Sequence, residues 1–180
     1  ALPDAWRAVD FISDLHLDAS TPGAFEAWAA HLRHTRADAV FILDTDAITH
    51  DQHAHPLLSV RVRDTPREHL FTTSVTVEEQ LQGRLAYIHR YRNDSSKLAQ
   101  GHAALVRTIY YFARWNILSL SEEAEVVVRQ LRQQRIRIGS QDLRIAATAL
   151  LYDFTVVTSN VRDFSQVPNL TISDWAVTTQ

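Results

Sequence analysis

Cysteine and methionine are both missing from this 180-residue chain, and glycine occurs only four times. Without thiols there are no disulfides, thiolate nucleophiles or cysteine-ligated zinc or iron–sulfur centres, so any metal must sit on oxygen or imidazole. The want of methionine extends to position 1, as expected of a chain that has lost its initiator or is a piece of something longer. No apolar run is long enough to span a bilayer, and Ala1-Leu-Pro-Asp-Ala-Trp6 lacks a basic region followed by an apolar one. A cytoplasmic protein with no membrane partner is expected.

What is present is ordinary for a soluble globular chain: 46% hydrophobic and 22% charged residues. The length suits one domain with room for an appendage and is enough to bury a proper core. A net charge of -3 argues at first against nucleic acid, but its distribution matters more than its sum. Residues 1–40 hold three of the 18 Lys/Arg and six of the 21 Asp/Glu, which leaves 15 of each for residues 41–180. If four of those acids are buried around metal ions, the remaining surface is basic by about four charges, which permits an RNA partner without demanding one.

The chain is organised around Phe41-Ile-Leu-Asp-Thr-Asp46, where three apolar residues run into two carboxylates and a hydroxyl. That is how a buried parallel strand looks when it ends at a polar site. Ahead of it, 7–13 reads as a strand and 24–36 as a helix with Phe25, Trp28, Ala29 and Leu32 on one face, before the strand 39–43. Behind it come helices over 53–62, 76–91, 97–113, 121–134 and 141–151, short strands at 70–73, 117–118, 155–158 and 170–172, and a helical turn at 161–164. Alternating short strands and longer helices predict a three-layer α/β/α sandwich with a central parallel sheet.

Four acids fall where a strand hands over to a helix: Asp44, Glu79, Asp142 and Asp163. Each has a bland explanation as a helix cap or first-turn acid. Asp44 or Asp46 can cap the helix that follows, Thr76 with Glu79 makes a capping box, Ser140 with Asp142 is a cap and a first-turn acid, and Asn160 with Asp163 repeats the theme. Together they favour a site, because a parallel sheet brings all its strand-to-helix junctions to one edge. Carboxylates gathered there repel one another, and a divalent cation is the usual remedy. Oxygen ligands select Mg²⁺ or Mn²⁺, and such a centre suits phosphodiester hydrolysis.

The motifs Phe41–Asp46, Ser74–Gly83, Ile138–Leu150 and Val157–Leu170, followed by Asp174-Trp175, make residues 41–178 resemble a PIN domain of the VapC type, the ribonuclease toxin of type II toxin–antitoxin pairs. The resemblance implies that Asp44, Glu79 (not Glu78), Asp142 and Asp163 bind metal and carry catalysis, with Thr158 and Asn160 in support. Related PIN domains put an acid where Asn160 stands, so Asn160 and Asp163 compete for the fourth position. It also implies Mg²⁺- or Mn²⁺-dependent cleavage of RNA, transfer RNA among the candidates, by an activated water. The partners it implies are a cognate antitoxin and a second copy in a homodimer.

The front of the chain resembles something else. Trp6–Asp18 and Ala37–Leu43 look like the start of a calcineurin-like metallophosphoesterase, closest to UDP-2,3-diacylglucosamine hydrolase, with Asp14 and His16 at its first Asp-x-His motif. That family needs Gly-Asp, Gly-Asn-His-Asp and Gly-His-x-His further on. None of Gly23, Gly83, Gly101 and Gly139 supplies them. The expectation is therefore a fusion: a non-catalytic β-α appendage over 1–40 and a PIN domain over 41–180. The alternatives are a phosphoesterase using Asp14 and His16, and a catalytically silent scaffold that binds RNA or antitoxin. His50, His53 and His55 read as loop histidines rather than ligands. Arg129, Arg132, Arg135 and Arg137 form a basic run near Asp142, read either as a solvated helix face or as phosphate steering. Tyr110, Tyr111, Phe112 and Trp115 read as core or dimer surface.

Overall fold

The computed structural model describes residues 40–178. The expected strand at 7–13 and helix at 24–36, together with Asp14 and His16, lie outside those residues. The described chain runs β1 (Phe41–Leu43), α1 (Thr45–Gln52), α2 (Leu58–Asp64), β2 (Leu70–Thr73), α3 (Ser74–Arg90), α4 (Ser95–Phe112), β3 (Asn116–Leu118), α5 (Glu122–Gln133), α6 (Ser140–Tyr152), β4 (Thr155–Val157), α7 (Val161–Phe164) and β5 (Ile172–Ser173).

All five strands are parallel, in the order β3-β2-β1-β4-β5, and β1 pairs on both sides, Phe41 facing Leu70 on one and Thr155 on the other. The chain steps outward from β1 to β3, then crosses back to β4 beside β1 and on to β5. Since parallel crossovers are right-handed, the two directions of travel put their helices on opposite faces of the sheet, which is the expected α/β/α layering. The reversal of direction falls between β1 and β4, and in open α/β sheets the crevice at such a reversal, at the carboxyl ends of the strands, is where ligands bind.

The sheet centre follows from composition. Ile42 and Leu43 of β1 and Val156 and Val157 of β4 are wholly buried, as strands covered on both faces must be. On α6, Ile145, Ala146, Ala147 and Ala149 are also fully buried, and the small alanines let the helix lie close to the sheet. Phe112, Leu58, Ile48 and Trp175 join Leu43 and Val157 in one core cluster, with Tyr111 and Trp115 packed against it. Tyr110 alone of that aromatic run is widely exposed, at 72%.

The single helix expected over 53–62 does not form. α1 carries on through Gln52, the chain turns with Ala54 in the left-handed region at φ 55, and α2 starts only at Leu58. Pro56 explains the break: it has no N–H to give and biases His55 away from helical geometry. The last strand lies at Ile172–Ser173 rather than 170–172, after Asn169 turns the chain at φ 61.

Candidate active site

Asp44 stands where β1 becomes α1. Its N–H donates to the Val157 carbonyl at 3.1 Å, extending the β1–β4 pairing by one bond. Its Oδ1 accepts the Ala47 N–H at 2.8 Å, so it does cap α1. Capping does not exhaust it, because the residue is only 3% exposed. Burial pushes its carboxyl up to about 7, and neighbouring Asp46 and Asp142 push the same way against the lowering effect of the Ala47 N–H and the Thr158 hydroxyl. That Thr158 hydroxyl also accepts the Asn160 N–H at 2.9 Å, which ties the segment after β4 to the acid after β1.

Glu79 is not half of a capping box. α3 starts two residues earlier than expected, capped by Thr73, whose hydroxyl accepts the Thr76 N–H at 3.2 Å. Freed from that duty, Glu79 accepts a hydrogen bond from the Thr45 hydroxyl on α1 at 2.5 Å. Glu78 is exposed and takes the Gln82 amide instead.

Nor is Ser140 a cap. Gly139 holds the N-cap position of α6 with no side-chain bond, and Asp142 sits in the first turn. A Cβ on Gly139 would stand 3.2 Å from Asp142 Oδ2, so the missing side chain gives that carboxylate its room. Asp142 is half-buried, and its carboxyl is raised to about 6, first by burial and then by the charges of Glu79, Asp163 and Asp46. Asn160 bridges two of these acids: its Nδ2 donates to Asp142 Oδ2 at 3.4 Å and to Asp163 Oδ2 at 3.2 Å.

Acids from four separated segments thus act on one another along one sheet edge. Asp46 joins them, though as a sequence feature it suggests only a cap; the signal was the second carboxylate of Asp44-Thr-Asp46 itself. Among the described residues, no Lys or Arg forms an ion pair with any of the five. An all-oxygen donor set short of positive charge fits a hard divalent cation. No three acidic or histidine side chains among the described residues form a closed metal cage as they stand; Asn160 occupies the gap between Asp142 and Asp163. His50, His53 and His55 make no such group either. His53 Nδ1 bonds the Thr49 carbonyl, while the His50 and His55 rings meet edge to face at 5.1 Å. Arg129, Arg132, Arg135 and Arg137 are all exposed.

A family model described as PIN domain matches residues 41–170. Among curated proteins the chain is similar to Ribonuclease VapC of Rickettsia bellii, 43% identical over 54 residues that make up 28% of this chain and 40% of that one. The chain spans half or so, or less, of the length of the curated relatives it matches: 40% and 52% for the first two. Among solved structures it is similar to VapBC-1 from nontypeable Haemophilus influenzae, at TM-score 0.60 and 25% identity over 77% of this chain and 99% of that one. VapBC-5 from Mycobacterium tuberculosis, described as a member of a family of toxin–antitoxin systems, shares the fold at TM-score 0.51 and 24% identity over 75% and 96% of the two chains. The family match begins at residue 41, and nothing in the comparisons supports the metallophosphoesterase resemblance of the residues before it.

Proposed function

Because the chain belongs to the PIN domain family, we propose that it is a metal-dependent endoribonuclease and the toxin of a toxin–antitoxin pair, its nuclease domain starting at residue 41. Asp44, Glu79, Asp142 and Asp163 would hold Mg²⁺ or Mn²⁺, with Asp46 adding negative charge beside them. The observation that carries the reading is the convergence, at the sheet's reversal point, of carboxylates from four segments that perturb one another and lack a basic partner among the described residues. A bound divalent cation would supply Lewis-acid stabilisation of the phosphoryl oxygens and make water more acidic.

The chain's own groups orient that chemistry. The Ala47 N–H and the Thr158 hydroxyl fix the Asp44 carboxylate, the Thr45 hydroxyl fixes Glu79, and Asn160 Nδ2 holds Asp142 and Asp163 at a set separation. Hydrogen bonds of this kind to metal-binding carboxylates keep them in place for the cation. RNA is the proposed substrate, and a cognate antitoxin and a second copy of the chain are the proposed protein partners.

Incubation of the full chain with RNA and Mg²⁺ or Mn²⁺ tests the reading. Cleavage should require the metal, and Asp142→Asn should slow it about a hundredfold or more, at least what losing an outer-shell partner of a metal costs. RNA that binds the wild-type chain but stays intact with either metal would overturn it in favour of a silent binding scaffold.

A further inference from the structure

An acidic centre repels the polyanion it is proposed to cut, so positive charge is needed close by to hold the strand. α1 and α3 lie side by side, joined by three side-chain bonds in sequence. Thr45 donates to Glu79, Gln80 Nε2 donates to Thr49 Oγ1 at 2.8 Å, and Arg84 Nη2 donates to Gln52 Oε1 at 3.4 Å. The seam leads away from the acids and ends in a cleft of about 300 Å³ between α1, α3 and α4, lined by Gln52, His53, Arg84, Arg107, Thr108 and Tyr111 among others. From Thr45 to Gln52 a helix rises about 10 Å, which is within the reach of a short run of nucleotides.

Among the described residues the lining contains two arginines and a histidine and no carboxylate. Arg84 is half-buried, yet its partners are neutral: Nε donates to the buried Thr108 hydroxyl at 3.1 Å and Nη2 to Gln52. Neither Arg84 nor Arg107 forms an ion pair among the described residues. Holding Arg84 there has a cost, since Gln52 turns its Oε1 to the guanidinium and leaves its Nε2 buried without a partner among the described residues. Turning the amide over would set a donor against a cation. The remaining guanidinium N–H groups of Arg84 are in the fork geometry that suits phosphate oxygens.

We propose that this cleft is a phosphate-holding subsite for the RNA strand, with Arg84 and Arg107 gripping a phosphodiester a few nucleotides from the bond to be cut. The inference rests on the nuclease reading for its substrate, but binding and cleavage separate the two. Full-length chains carrying Asp142→Asn, kept in chelator so that the slowed cleavage also lacks its metal, are titrated with a fluorescent single-stranded RNA across a salt series. Arg84→Gln and Arg107→Ala should each weaken binding about tenfold, as the loss of a charge-assisted hydrogen bond does, and each should reduce the slope of log K against log salt by about 0.7. Arg63→Ala, whose guanidinium pairs with Asp64, should change neither. Arg107 is exposed, so its variant reports even if Arg84→Gln disturbs packing, which circular dichroism checks.

Unchanged affinity and slope in Arg107→Ala and a folded Arg84→Gln would overturn the subsite while leaving wild-type cleavage to speak for the nuclease. Arginine-dependent binding of inorganic phosphate or of an acidic peptide, with RNA affinity unaffected, would overturn it as well. Arginine-dependent RNA binding by a wild-type chain that cuts nothing would sustain the subsite and remove the nuclease.

Discussion

Asp44 concentrates two opposed demands on one side chain. Its position at the end of a central strand buries it, and burial favours the neutral acid, while the Ala47 N–H and the Thr158 hydroxyl favour the ion. Burial wins, and the carboxyl stands at about 7 against an ordinary 3.8. A carboxyl that binds its proton more tightly in the folded chain contributes stability that is full below about pH 4 and is lost as pH rises through about 7. Asp142, raised to about 6, acts in the same direction over a narrower window. In chelator-treated protein the melting temperature should therefore fall between pH 4 and pH 7. Asp44→Asn should flatten that fall and raise stability at pH 8 by about 1–3 kcal/mol. Asparagine keeps the oxygen that caps Ala47, and the Thr158 hydroxyl oxygen, which already accepts the Asn160 N–H, has a second lone pair to receive the new amide. A pH dependence that Asp44→Asn leaves unchanged in the metal-free chain would show that Asp44 is not held neutral.

At the scale of elements, α3 and α4 meet closely at Gly101. A Cβ there would come within 2.8 Å of Ile88 Cγ1 and 3.1 Å of Tyr87 Cδ1. Alanine would gain about 1 kcal/mol in helix propensity, but overpacking costs typically 1–3 kcal/mol, and an atom next to the Ile88 branch point has little freedom to retreat. Gly101→Ala should lose about 1 kcal/mol in urea denaturation; a stabilised variant would mean the two helices part easily. The same elements show what pattern can and cannot reveal. Leu70–Thr73 and Val161–Phe164 lie where hydrophobic runs and turn residues put them, and the parallel sheet follows from alternation. The break at Pro56 is local and open to a sequence reading that gives the proline its weight, whereas the cap at Thr73 depends on which of several polar residues wins a backbone N–H, a contest settled by tertiary packing. The convergence of Asp44, Glu79, Asp142 and Asp163 on one edge was legible from parallel topology. The roles of Asp46 and Thr45 were not, and Asn160 entered only through the family resemblance, because strand and helix pattern do not say which short polar side chains turn toward one another across the edge.

Across the described domain, negative charge collects at the reversal of the sheet, and the cleft at the end of the α1–α3 seam carries positive charge. This separation makes the acidic edge a region of stored repulsion, and whatever neutralises it must stabilise the fold. A ligand that binds only the folded state adds about 2.7 kcal/mol when present at a hundred times its dissociation constant. In a chain of this size that raises the melting temperature by about 5–10 °C. Saturating Mg²⁺ or Mn²⁺ should produce such a rise at pH 8 and a smaller one at pH 5, because protons compete for the same oxygens. Asp142→Asn should shrink the rise at pH 8 while lifting the metal-free melting temperature, since it removes a charge that Glu79, Asp163 and Asp46 all oppose. The two effects have opposite signs in one variant, which general destabilisation could not produce. Equal melting curves with and without either cation at pH 8 would mean that the carboxylates bear their repulsion unaided and that the cation role proposed for them is mistaken.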